Sequence, residues 1–197
     1  MFIQTESTPN PATLKFLPGQ AVIPDGTADF PSADTASQSP LAERLFAVNG
    51  VSGVFFGRDF ITITKNDGSE WDHIKPALLG VIMEHFQSGQ PVMLETSEAS
   101  AHAEHTGEDG EIVDQIKELL DSRVRPAVAQ DGGDITFYGF ERGIVYLQMQ
   151  GACAGCPSST MTLKMGIENL LRHYIPEVTE VRPVAVAHVG IGLDDAH

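Results

Sequence analysis

The chain of 197 residues carries 27 acidic against 12 basic side chains, a formal charge of −15 that repels nucleic-acid phosphates and anionic membrane surfaces, so neither is expected as a partner. No run has the length of a transmembrane helix, and Met1-Phe2-Ile3-Gln4-Thr5-Glu6 lacks the basic and apolar regions of a secretory signal. The length suits two small domains, and two cysteines are too few for a disulfide framework, which fits a reducing compartment such as the cytosol.

The first domain is expected over residues 1–95. Extended pieces at Phe2 to Glu6 and Thr13 to Leu17 flank the turn Thr8-Pro9-Asn10-Pro11. Pro18 to Ser39 is rich in Pro, Gly, Asp and Ser without periodicity and reads as a mobile surface loop. Ser39-Pro40 has the form of an N-cap followed by a first-turn proline, opening a short helix with Leu41, Leu45 and Val48 on one face and Asn49-Gly50 at its end. Val54-Phe55-Phe56 and Phe60 to Thr64 then predict a hairpin turning at Gly57-Arg58-Asp59. Ile74, Leu78, Val81, Ile82, His85 and Phe86 predict a helix from Trp71 to Gln87, and Pro91 to Leu94 reads as a returning edge strand. The expected order is β-β-α-β-β-α-β.

Residues 96–110 change composition to Ser, Ala, His and acids, with no base, and read as a flexible acidic linker. His102 and His105 have a chelating spacing, but in such a segment they read as solvated side chains. The second domain is expected over residues 111–187. Ile112, Ile116, Leu119, Leu120 and Val124 stripe a helix that Pro126 should break or kink. Asp131-Gly132-Gly133-Asp134 turns into a strand to Phe140; its carboxylates could serve a metal, although a turn that needs glycine explains it equally. Ile144 to Gln150 is the return strand. A helix from Pro157 to Tyr174 and an edge strand around Pro183 follow, and 188–197 reads as a disordered tail. The fold class is thus α+β, two small α/β sandwiches whose helices pack on a mainly antiparallel or mixed sheet.

The chemistry concentrates in Gly151-Ala152-Cys153-Ala154-Gly155-Cys156-Pro157-Ser158-Ser159, which holds both cysteines. Two thiols at this spacing can chelate a soft metal, exchange a disulfide or pack as small hydrophobes. Pro157 suits the first position of a helix, placing Cys156 at its cap, where the helix dipole favours the thiolate. Structural zinc and iron–sulfur sites usually take four ligands, and no histidine lies close to these cysteines in sequence. A closed site therefore needs a second chain, most simply a two-fold dimer in which each copy donates Cys153 and Cys156 to one 4Fe-4S cluster. A thioredoxin-type oxidoreductase would want a βαβ unit before the motif, whereas an α-β-β unit precedes it here. A zinc-clamped dimeric adaptor meets the same ligand count. Met161 and Met165 on the following helix read as core filler rather than a cluster cover. Arg123 and Arg125 could face anionic sulfides, or else pair with Asp121, Asp131 or Asp134.

Arg123-Val124-Arg125-Pro126, Asp131-Gly132-Gly133-Asp134, Gly143-Ile144-Val145, the cysteine segment and Thr162-Leu163-Lys164-Met165-Gly166-Ile167-Glu168 together resemble the NifU C-terminal domain. Thr8-Pro9-Asn10-Pro11, Lys15-Phe16 and Pro18-Gly19 resemble the N-terminal domain of Nfu-type iron–sulfur proteins of bacteria and mitochondria. The resemblance implies a carrier or scaffold, not an enzyme, that binds a 4Fe-4S cluster between two C-terminal domains through Cys153 and Cys156 and passes it to apo-proteins. It also implies upstream iron–sulfur assembly proteins as donors and clients such as lipoyl synthase and aconitase, which the N-terminal domain helps recognise. Without a transit peptide the chain reads as a bacterial cytoplasmic protein or a processed mitochondrial matrix form.

Overall fold

The computed structural model describes residues 2–94, 110–154 and 157–184, with 157–159 as helical backbone only. The expected linker 96–110 thus falls almost wholly outside the described residues, as do the tail and His102 and His105.

In the N-terminal domain, β1 (Gln4–Ser7), β2 (Thr13–Leu17), β3 (Ala28–Phe30), β4 (Val51–Phe56) and β5 (Ile61–Lys65) form one antiparallel sheet in the order β1-β2-β5-β4-β3. Strand alternation sends Phe16, Val54, Phe56, Ile61 and Ile63 to one face. There they bury against Leu41 and Leu45 of α1 (Pro40–Phe46) and Ile74, Leu78 and Ile82 of α2 (Trp71–Ser88), whose four-residue spacing keeps each set on one side of its helix. Ser39 caps α1 as expected, its Oγ accepting the Ala42 N–H at 3.0 Å.

Two expectations for this domain fail. Residues 18–39 are not without structure: β3 pairs with β4, Phe30 buries edge-on against Phe56, and a 3-10 helix covers Ala33–Gln38. A three-residue strand is too short to display alternation, so only the lone Phe30 among turn residues could have signalled it. Pro91 to Leu94 forms no strand; the Ser39 hydroxyl donates to the Val92 carbonyl at 2.5 Å and the Leu94 N–H to the Gln38 carbonyl at 2.8 Å, tying the segment to the entry of α1 instead.

His85 lies on the buried face of α2, with neither ring nitrogen in a hydrogen bond. Burial, and less strongly the Arg44 charge, lower its pKa. A histidine whose folded pKa is depressed opposes folding once the unfolded chain takes up its proton, so this contribution weakens stability as pH falls below ~6.5. His85→Leu is therefore expected to reduce the drop in melting temperature between pH 7.5 and 5.5, read by thermal denaturation; an unchanged drop would exclude His85 as its source.

In the C-terminal domain, α3 (Gly110–Leu119) runs through a π-helical turn at Leu120–Val124 into α4 (Arg125–Gln130). The expected break at Pro126 is absorbed there: a prolyl nitrogen cannot donate to the carbonyl four residues back, and the widened turn places Pro126 at the start of α4, where no such bond is needed. The antiparallel hairpin β6 (Gly133–Glu141) and β7 (Ile144–Gly151) is extended by β8 (Glu180–Val184), which runs parallel to β7 at the sheet edge and carries Pro183. α5 (Pro157–Tyr174) closes the layer. Ile116, Leu120, Val124 and Val128 meet Ile135, Val145, Leu147, Ile167, Leu171 and Val181 in its core.

The two domains touch. One row crosses the N-terminal sheet through the register pairs Glu6–Lys15, Lys15–Thr62, Thr62–Phe55 and Phe55–Asp29, on the face away from α1 and α2. Alternation alone would leave this row in water, yet Lys15, Thr62 and Phe55 are buried, because β4 and β5 lie against β7. No helix among the described residues is long and apolar enough to cross a membrane.

Candidate functional site

β7 delivers the cysteine loop. Gly151 ends the strand with φ 63°, a left-handed turn that suits glycine, and the Ala152 and Ala154 N–H groups donate to the Gly132 and Gly151 carbonyls at 3.2 and 3.1 Å. The Thr160 hydroxyl on the first turn of α5 donates to the Cys153 carbonyl at 3.0 Å, fixing the loop to the helix that follows it. α5 begins at Pro157, as the motif predicts. Cys156 lies outside the described residues.

Cys153 is buried beside the Asp131-Gly132-Gly133-Asp134 turn. A Cβ on Gly133 would stand 2.6 Å from its Sγ, so the glycine makes room for the sulfur, and Gly132 turns with φ 82°. The segment is thus a glycine turn that seats the thiol. Burial, and secondarily the negative charges of Asp131 and Asp134, push the Cys153 thiol up to about 12. In this conformation Cys153 is not a thiolate activated by the α5 terminus.

Asp134 is engaged elsewhere. Its carboxylate accepts Arg125 Nε and Nη2, each at 2.9 Å, its own following Ile135 N–H at 2.8 Å and the Thr27 hydroxyl at 3.0 Å. Arg125 also reaches Asp121 at 3.0 Å. Of the two sequence readings the ion pair therefore holds for Arg125, and these opposite charges raise its pKa. Arg123 stacks over Tyr174 at 5.3 Å. The reading of Met161 and Met165 as core filler is overturned: they are 65% and 60% exposed, because their four-residue spacing places both on the solvent side of α5, away from Ile167 and Leu171.

The loop's other neighbours come from the N-terminal domain. Lys15 Nζ donates to the Ala129 and Gln130 carbonyls at 3.1 and 3.3 Å, ending α4, and Thr62 Oγ1 donates to the Gly132 carbonyl at 2.6 Å. Asn10 Nδ2 reaches the Ala154 carbonyl at 3.5 Å. A Cβ on Gly151 would stand 2.9 Å from Phe55 Cδ1. Burial pushes the Asp29 carboxyl up to about 6, against a smaller opposing effect of the Gly151 backbone. Sequence reasoning assigned none of these residues to the site. The one available signal was the unbroken run Val54-Phe55-Phe56, since consecutive apolar strand residues imply that both faces are covered.

Family models match the chain in two places, one described as scaffold protein Nfu/NifU N terminal over residues 3–89 and one as NifU-like domain over residues 116–182. The chain is 57% identical over 185 residues to "NFU1 iron-sulfur cluster scaffold homolog, mitochondrial" of Drosophila sechellia, covering 93% of this chain and 65% of that protein. It is 53% identical over 184 residues to "NifU-like protein 5, mitochondrial" of Arabidopsis thaliana, covering 92% of this chain and 67% of that protein. The chain thus spans 65–67% of the length of these relatives. A solution NMR structure of a NifU-like protein from Saccharomyces cerevisiae matches with a TM-score of 0.40 and 27% identity, covering 49% of this chain and 87% of that one.

Proposed function

Because the chain belongs to the Nfu/NifU family of iron–sulfur cluster scaffold proteins, we propose that it carries a 4Fe-4S cluster as cargo, held between Cys153 and Cys156 of two chains, and transfers it to apo-proteins. The observation that carries this reading is the ligand count. The chain's only two cysteines sit three positions apart in sequence, and among the described residues no group of three or more His, Cys, Asp or Glu side chains could complete a site. Four thiolates, one per iron, come from two copies. Met161 and Met165, exposed on the helix that leaves the loop, supply apolar surface to the second copy.

Loading releases the thiol protons to solvent, and each thiolate then bonds one iron. Transfer proceeds by ligand exchange, client thiolates replacing Cys153 and Cys156 one at a time, with no covalent change to a substrate. The cargo comes from an upstream iron–sulfur assembly protein, and clients are apo iron–sulfur enzymes of the lipoyl synthase and aconitase kind. The work belongs in a reducing compartment, bacterial cytosol or mitochondrial matrix, and the relatives' mitochondrial designation supports the second.

Anaerobic reconstitution with iron and sulfide, followed by absorption and Mössbauer spectroscopy and size-exclusion chromatography of the same sample, tests this. The expected product is a brown dimer with about four irons per two chains. A colourless species without iron overturns the reading and moves the weight to zinc or dithiol chemistry.

A further inference from the structure

The face of the N-terminal sheet away from its own helices is occupied by the turn and loop that seat the thiol, and the polar contacts across this boundary among the described residues fall on the cysteine loop, the glycine turn beside it, the end of β7 and the end of α4 that leads into that turn. Lys15 holds the end of α4, Thr62 holds Gly132, Phe55 lies against Gly151, and Asn10 holds Ala154, while Thr27 reaches Asp134. The contacts therefore grip the chain on both sides of Cys153 and the turn beneath its sulfur. The surface that does so is built for burial: Phe55, Phe60, Thr62, Lys15 and Thr13 are all at most 7% exposed, and none belongs to the core between the sheet and its helices. Lys15 Nζ is further held over the Phe60 ring at 4.8 Å. Lys15 also pairs with Glu6 on the neighbouring strand at 3.6 Å, yet its two hydrogen bonds both go to main-chain carbonyls of the other domain.

We propose that the N-terminal domain is a removable cover: docked through Lys15, Thr62 and Phe55, it holds the loop around Cys153 in a resting conformation that keeps the thiol in its own domain's core, and the domains must part before a second copy can bring its own Cys153 alongside. The cover rests on the carrier reading only for its purpose; the hold on the loop stands on these contacts alone. The two domains are joined by a single connection between residues 94 and 110, whose Ser, Ala, His and acidic composition suits a solvated tether, so undocking keeps the cover at hand. A chain with bound cargo then has the same N-terminal face free, and the cover closes again on release.

The test uses the full-length reduced apo chain. A pulse of iodoacetamide followed by peptide mass spectrometry reads Cys153 and Cys156 separately, in the wild type, in a Lys15→Ala/Thr62→Val double variant and in Phe55→Ser. All three positions face away from the N-terminal core, and emission from Trp71, the chain's one tryptophan, reports whether that domain remains folded. Loss of three buried hydrogen bonds should accelerate Cys153 alkylation by about tenfold or more, with an enlarged radius of gyration in small-angle scattering and unchanged Trp71 emission. Equal Cys153 alkylation in folded variants and wild type overturns the cover, as does a wild-type scattering curve that already shows separated domains, a result needing no variant. Faster alkylation in chains that never retain iron keeps the cover and rejects the carrier; normal iron loading with no alkylation difference does the reverse.

Discussion

Replacing either cysteine by serine is expected to reduce iron and sulfide retention to background. In a two-fold dimer each substitution removes two of the four ligands at once, and a serine hydroxyl, protonated at neutral pH and poorly matched to iron–sulfide chemistry, does not substitute for a thiolate. Cys153→Ser carries an additional stability penalty, since a hydroxyl then lies among Ile135, Met149 and Ile167; burying it without a good partner costs about 1–3 kcal/mol. Thermal unfolding of both serine variants before reconstitution separates loss of ligation from loss of packing. A folded serine variant that still binds a full complement of iron contradicts the assignment.

Arg125→Met should destabilise the C-terminal domain more than any substitution on its surface. Asp134 is a buried carboxylate whose charge is balanced by the two-pronged Arg125 fork. Removing the arginine leaves that carboxylate with only the Ile135 N–H and the Thr27 hydroxyl. Breaking a wholly buried pair costs about 3–5 kcal/mol. Because the Arg125 side chain is 39% exposed and partly screened by water, about 2–3 kcal/mol is expected, lowering the melting temperature by roughly 10 °C or more in a domain of this size. A double variant, Arg125→Met with Asp134→Leu, is expected to recover part of the loss, because no unpaired charge remains. Denaturation of the single and double variants reads both values; a single variant as stable as the wild type shows that the fork adds nothing.

Periodic, one-sided elements were legible in the sequence. The Ser39-Pro40 cap, the α2 stripe, the hairpin at Gly57 and the start of α5 at Pro157 each follow from local rules, and the structure has them at those places. The iron–sulfur reading came equally from local information, two cysteines in a glycine-rich loop and a resemblance spread over both domains. What stayed hidden was set by distant partners. β3 exists because Phe30 finds Phe56, and Met161 and Met165 are exposed because Ile167 and Leu171 already fill their side of the core. The same holds for Lys15 and Thr62, polar residues on a face that alternation assigns to water. Their partners lie 114 and 70 positions away, and no window of sequence contains both.

The grip between the domains also has a consequence for how its history would be recorded. On the C-terminal side it is made mainly to backbone atoms, the carbonyls of Ala129, Gln130, Gly132 and Ala154. The side chains at 129, 130 and 154 can drift without weakening it, so paired substitutions across the boundary have no reason to accumulate. Correlated mutation, the usual trace of two surfaces evolving together, should be faint here. The pressure falls instead on Gly132, Gly133 and Gly151, where no side chain fits, and on the single lysine and threonine that reach the main chain.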